Sequence, residues 1–244
     1  MTEQPQTLTI PQALDLAAQH HQAGRLTEAE TLYQEVLQTE SEHPTATHML
    51  GLLAHQVGKN DLAVELISGV LEREPNLAEA HNNLGLALQA LEKPQDAMTS
   101  YRKALALRPH YADAHCNVGN IFRDADQLED AAEHYRRALV IDPNLADAVN
   151  NLGSILLLLG QLTSAISLFQ KAVILKPDYT EAHTNLAHAL LLQGHWQRGW
   201  EEFEWRFKYR EKRFAWRTPP ITMWTGDSLE GKSILVYAEQ GMGD

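Results

Sequence analysis

The sequence predicts an all-α protein: six helix pairs in a row, then a short C-terminal extension with one β-strand. Three observations carry this reading. A unit of 34 residues recurs six times from Ile10 without insertion, small and large residues return at fixed places within it, and turn residues separate its amphipathic stretches. In frames that begin at Ile10, Pro44, Ala78, Ala112, Ala146 and Thr180, the eighth position is Ala17, Gly51, Gly85, Gly119, Gly153 and Ala187. The twentieth is Ala29, Ala63, Ala97, Ala131, Ala165 and Gly199, and the twenty-fourth is Tyr33, Ile67, Tyr101, Tyr135, Phe169 and Phe203. Small residues at the first two places let paired helix backbones approach closely, and the large residue fills the wedge between that pair and the next.

The units follow in order after an N-terminal tail, 1–9. The first, 10–43, has Ser41 where the inner units have proline. The second, 44–77, turns at Gly58 and stops before Pro75; the third, 78–111, stops before Pro109, and the fourth, 112–145, before Pro143. The fifth, 146–179, turns at Gly160 and stops before Pro177. The sixth, 180–213, turns at Gly194 but carries Glu211 in place of proline and Arg206 in place of a small residue. Asn76-Leu77-Ala78-Glu79, Asn144-Leu145-Ala146-Asp147 and Asp178-Tyr179-Thr180-Glu181 have capping-box-like spacing. That spacing predicts a side-chain oxygen on free helix N–H groups and an acid at the positive helix end.

Composition narrows the function. Hydrophobic residues make up 44% of the 244, enough for a sizeable core, and no apolar run reaches the ~18 residues of a bilayer span. The start, MTEQPQTLTIPQ, lacks the pattern of a signal peptide, and with Cys116 as the single cysteine no intramolecular disulfide can form; a cytoplasmic location is expected. Of the net charge of −12, the excess lies in residues 1–194, with 12 Lys/Arg against 24 Asp/Glu. A nucleic-acid or membrane-surface partner is disfavoured by such a field.

The recurring residues resemble the tetratricopeptide repeat, and the resemblance covers 10–213. It implies a right-handed superhelix whose concave surface is lined mainly by first helices and holds a protein or peptide. On that surface the sixth position of four frames is Asn83, Asn117, Asn151 and Asn185, with Asn82 and Asn150 preceding two of them. An amide both donates and accepts, so a row of amides can bond the backbone of an extended peptide; it can equally bond the neighbouring repeat and keep the stack in register. The NNLG stretch is similar to that in the repeats of the O-linked N-acetylglucosamine transferases, and this likeness makes the asparagines partner-binding candidates. His81, His115 and His183 share the fourth position, but no histidine stands at i and i+4 beside them, so packing and capping are expected rather than metal binding. Cys116 has no acid or second thiol in pattern to make it a nucleophile.

All five tryptophans lie within 196–224. Trp196, Trp200, Phe203 and Phe207 fall at helical spacing as an apolar stripe, read as the seat of a following domain or partner. Residues 218–230 read as a connector, and 214–244 as linker plus the first strand and loop of a further domain. Gly226–Ser233 matches the letters of a phosphate-binding loop, yet a proline-rich stretch precedes it and a β-branched run follows, the reverse of what such a loop needs. Ile234–Ala238 reads as a strand, followed by Gly241, Gly243 and Asp244 where α/β sheets bind ligands. The Trp-rich helix, W-x-G-x-x-L-x-G-K-x-I-L-V and EQGMGD together resemble the junction of bacterial proteins that join tetratricopeptide repeats to a heptosyltransferase-like glycosyltransferase. The resemblance implies that the chain is the N-terminal portion of a longer protein, with a nucleotide-sugar donor bound elsewhere and Asp244 as general base. No cofactor and no activity are expected of these 244 residues by themselves. The alternative is a non-catalytic scaffold that assembles other proteins in its groove.

Overall fold

The computed structural model describes residues 8–205, and these hold twelve α-helices. The first helices of the pairs are α1 (Ile10–Gln22), α3 (Pro44–Gln56), α5 (Ala78–Ala90), α7 (Ala112–Asp124), α9 (Ala146–Leu158) and α11 (Thr180–Leu192). The second helices are α2 (Leu26–Thr39), α4 (Asn60–Arg73), α6 (Pro94–Leu107), α8 (Leu128–Ile141), α10 (Leu162–Leu175) and α12 (Trp196–Phe203). Each helix packs on its predecessor and successor, and α3, α5, α7, α9 and α11 also touch one another in series. No comparable contact joins successive second helices. A stack whose first helices converge while its second helices diverge must curve, with the first helices on the concave side. The predicted strand, Ile234–Ala238, lies outside the described residues, among which no strand occurs.

The small–small–large pattern acts within each pair. A Cβ on Gly51 would lie 2.6 Å from Ile67, one on Gly119 2.7 Å from Tyr135, and one on Gly153 2.7 Å from Phe169. The large residue of position twenty-four therefore sits over the bare backbone of position eight in its own repeat, and Tyr135 and Phe169 share one core cluster with residues of the following repeats such as Leu152 and Leu186. Tyr101, Tyr135 and Phe169 are wholly buried in this way. Tyr101 Oη donates to Gln89 Oε1 at 3.1 Å and Tyr135 Oη to Asn120 Oδ1 at 2.8 Å, so each ring keeps its polar tip satisfied.

Turns and caps differ in part from expectation. Position fifteen has positive φ in every repeat: Gly24, Gly58, Gly160 and Gly194 take it at 73° to 85°, and Glu92 and Asp126 take it at 57° and 59°. The turn geometry is set by the packing of the pair, and non-glycine residues bear it where glycine is missing. The capping-box reading of Asn76, Asn144 and Asp178 is not what forms. The N-cap residues are Leu77, Leu145 and Tyr179, with no side-chain cap bond, one residue later than the polar side chain. Glu79, Asp147 and Glu181 do stand in the first turns, where the helix dipole favours an acid. A reciprocal cap forms instead at α1, where the Thr9 N–H donates to Gln12 Oε1 at 3.0 Å.

Candidate peptide-binding groove

The asparagines of position six stand on consecutive first helices, and each reaches back one repeat. Asn83 Nδ2 bonds His48 Nε2 at 3.0 Å, Asn117 Nδ2 donates to Asn82 Oδ1 at 3.0 Å, Asn151 Nδ2 to Asn120 Oδ1 at 2.9 Å, and Asn185 Nδ2 to Asn150 Oδ1 at 3.0 Å. The acceptor is thus position five of the preceding repeat three times and position nine once. In the fourth repeat Cys116 fills position five; a thiol is a weak acceptor, and Asn151 bonds the Asn120 oxygen while also lying within hydrogen-bonding reach of the thiol. Asn82, Asn150 and Asn151 are buried, Asn150 completely, whereas Asn83, Asn117 and Asn185 are half-exposed. At least one N–H of each ladder amide is committed to the neighbouring repeat, and Asn185 Nδ2 also donates to Ser154 Oγ at 3.3 Å; an amide oxygen has two lone pairs beyond that.

Around the ladder the wall is acidic. A cleft of 330 Å³ between α7, α9 and α11 is bounded by Asp113, Asn117, Asn120, Arg123, Asp147 and Asn151. Burial, and then the neighbouring Asp142 and Asp147 charges, push the Asp113 carboxyl above the usual range. Glu79 behaves oppositely. Burial pushes it up, but its hydrogen bond and ion pair with Arg108 outweigh that and leave it low. The Cys116 thiol, also in this cleft, is pushed up to about 12 by burial and then by Asp147 and Asp113. It stays a protonated, unreactive thiol near neutrality.

The position-four histidines form a second inter-repeat device that sequence reading left as generic packing. His81, His115 and His183 each donate Nε2–H to the carbonyl of Pro75, Pro109 and Pro177, at 2.9, 3.2 and 3.1 Å. A carbonyl only accepts, so the proton on Nε2 is fixed, and neutral His115 offers Nδ1 as acceptor to His134 Nδ1–H at 3.3 Å. Burial, and then the facing His115 and Arg137, hold His134 down at about 4. His183 instead meets Glu202 at Nδ1 and stacks on Trp205, ring centroids 3.8 Å apart. The recurring offset of six residues between His and Pro was visible in the sequence; the bond it makes was not. Among the described residues no group of three His, Cys, Asp or Glu side chains converges as a metal site.

At the far end, Trp196 and Trp200 are exposed on α12, and Trp200 meets Phe203 edge-on with ring centroids 5.6 Å apart. Phe207, Gly241, Gly243 and Asp244 lie outside the described residues. No helix among the described residues is long and apolar enough to cross a membrane.

Fold and groove together define an α-solenoid with a polar inner wall. Family models described as tetratricopeptide or TPR repeats match residues 20–87, 78–111, 119–160 and 153–194, and the chain belongs to the tetratricopeptide-repeat proteins. Solved structures agree in fold. TTC0263, a thermophilic TPR protein of Thermus thermophilus, is 23% identical with a TM-score of 0.66, over 75% of this chain and 100% of that one. PilW, a type IV pilus biogenesis factor, is 21% identical with a TM-score of 0.68, over 86% and 96%. YrrB, described as a TPR protein with an unusual peptide-binding site, is 21% identical with a TM-score of 0.51, over 71% and 90%. No curated protein matches the chain in sequence.

Proposed function

We propose that this protein captures an extended segment of a partner protein along its concave wall, with Asn83, Asn117, Asn151 and Asn185 bonding the partner's backbone. The observation that carries this is the amide ladder. Its members recur at equal spacing on the inner helices, are each bonded to the preceding repeat, Asn185 twice, and retain hydrogen-bonding capacity at their oxygens for a guest. Rigid placement lowers the ordering cost of binding, so the register bonds and the guest bonds are complementary uses of one side chain. The acidic residues beside the ladder favour a guest segment of neutral or basic character. YrrB, similar in fold, is described as having a peptide-binding site, which supports this use of the groove.

We further propose that the captured protein is a substrate or partner of a glycosyltransferase-like domain continuous with residues 214–244. That reading rests on the sequence of this stretch alone, with Asp244 as its general base, Gly241 and Gly243 beside it, and a nucleotide sugar as donor. A plain scaffold needs none of these.

Replacing Asn83, Asn117 and Asn185 together by Ala tests the ladder, because these are the half-exposed members. Binding of a captured peptide should weaken at least tenfold with helical circular dichroism preserved; unchanged affinity in a folded variant refutes the groove assignment. Replacing Asp244 by Asn in a chain that extends past it should abolish sugar transfer, and unchanged transfer removes the glycosyltransferase reading while leaving the groove intact.

A further inference from the structure

The second helices of the third, fourth and fifth repeats share one kind of stretch: Arg102–Leu107 reads RKALAL, Arg136–Ile141 RRALVI and Gln170–Leu175 QKAVIL. Five cations and no acid fall in these three stretches of a chain whose net charge is −12. The same places in the first two repeats hold Glu35 and Glu72. Ala104, Ala138 and Ala172 are wholly buried, so positions twenty-five, twenty-six and twenty-nine are left to the convex surface. Arg102, Lys103, Arg136 and Arg137 are exposed there, and Lys171 is half-buried. Position twenty-nine is Val140 at 83% and Ile174 at 77% exposure, the two most exposed large apolar side chains among the described residues.

Neither helix ends nor ion pairing accounts for the cations. None stands in the last turn of α6, α8 or α10, where a helix dipole would favour it. Among the described residues Arg137 alone of the five makes an ion pair, Nε to Glu133 Oε1 at 2.9 Å, an exposed pair of small worth. Acids border the patch without entering it: Glu72 lines a cleft with Lys103 between α4 and α6, and Asp142 follows α8. The acids of the groove, Asp113 and Asp147, stand on first helices. A helix layer about 10 Å thick separates them from the convex face, as far as charge reaches at about 0.1 M salt. The net charge of the whole chain therefore does not decide what this face meets.

We propose that the convex face docks on an anionic lipid surface, with the five cations at headgroup level and Val140 and Ile174 entering the boundary between headgroups and acyl chains. Charge complementarity selects an anionic partner. Shape selects a lipid surface over an acidic protein segment. Successive second helices make no contact like that of the first helices, so the cations stand on three separate ridges of a convex row. Such a row meets a flat surface along its ridges, whereas an extended chain needs a continuous edge or trough. Aliphatic tips beside cations are also the chemistry of helices that lie in a membrane interface. The groove, on the opposite side, stays open.

Vesicle co-sedimentation of the full 244-residue chain tests this. The protein should pellet with phosphatidylcholine vesicles that carry about a third phosphatidylglycerol, at about 0.1 M salt, and should not pellet with phosphatidylcholine alone. Arg102→Ser, Arg136→Ser and Arg137→Ser together should weaken partitioning by about tenfold or more, since each cation near such a surface is worth about fivefold. Val140→Ser with Ile174→Ser, which leaves the charge unchanged, should weaken it by about threefold or more. All five positions are exposed, so helical circular dichroism should stay the same. Absence of pelleting with the anionic vesicles overturns the proposal, as does equal pelleting with neutral ones. So does pelleting that either variant leaves intact, as the basic sequence of 206–217 would produce by itself. Binding of a soluble glutamate–leucine repeat peptide without binding of vesicles also overturns it, and makes an acidic protein segment the partner.

Discussion

A methyl group on Gly119 would lie 2.7 Å from Tyr135 Cε1 and 2.9 Å from Cδ1, where carbon pairs settle at about 3.5 Å or more. The ring has nowhere to go, being 0% exposed and tied by its hydroxyl to Asn120 at 2.8 Å. Overpacking of this kind costs about 1–3 kcal/mol, and disturbing the Tyr135–Asn120 bond adds about 1 kcal/mol. Alanine in place of glycine returns about 1 kcal/mol of helix propensity, so Gly119→Ala should destabilise by about 1–3 kcal/mol net. Gly69 in α4 provides the control, because a Cβ there meets nothing within 4 Å. Gly69→Ala should stabilise by about 1 kcal/mol from the same propensity gain. Thermal unfolding followed by circular dichroism reads both as shifts of opposite sign, about 2–4 °C per kcal/mol for a chain of this size. Midpoints rather than extrapolated free energies are compared, since repeat arrays depart from two-state behaviour. In a Tyr135→Leu background the obstructing ring is gone, and Gly119→Ala should become neutral or stabilising. A melting point raised by Gly119→Ala in the wild type, or a penalty undiminished once the ring is replaced by the smaller leucine side chain, refutes the ring-over-glycine account.

The turn residues yield a second prediction: Glu92→Gly and Asp126→Gly, relieving φ of 57° and 59°, should each raise stability by about 0.5–1 kcal/mol, read as a higher melting midpoint. Asn150→Ala should lower it by about 1–3 kcal/mol, because it removes the oxygen that Asn185 Nδ2 bonds at 3.0 Å in a fully buried site. Acid should also destabilise the stack. Burial lowers His48 and His115 and brings His134 to about 4 in the folded chain, below the ordinary histidine value of 6.5. Groups with lowered folded values contribute stability that is complete above the unfolded value and is lost as pH falls below it. For half-buried His134, which faces His115, Arg137, Glu133 and Asp130, solvent screening reduces the loss by pH 4 to about 1 kcal/mol. His134→Gln should flatten the fall in melting temperature between pH 7 and pH 4.5, and an equally steep fall would remove His134 as its source.

The repeat architecture was open to reading because its determinants are local and periodic. A small residue at position eight and a large one sixteen places later belong to one helix pair, so Gly119 and Tyr135 declare each other in any single frame. Helix starts at Pro44, Ala78 and Ala146, and stops two residues before Pro75, Pro109 and Pro143, follow from the same local chemistry. The candidate site was legible as a row of asparagines but not as a set of bonds. How Asn151 is shared between Cys116 and Asn120 depends on how one helix lies against another 31 to 35 residues away. The capping positions misled because Asn76 and Asn144 announce a helix start one residue too soon: the N-caps are Leu77 and Leu145, neither with a side-chain cap bond. Glu92 and Asp126 hold left-handed turns that no propensity would assign them, since closure of the pair leaves no alternative backbone. By itself, then, the sequence determined the period, the helices and the packing inside each pair, because those contacts lie within one unit of chain. Only the tertiary structure decided which amides are buried, which remain half-open in the groove, and which apolar face of α12 stands uncovered, because burial depends on what the next unit places there.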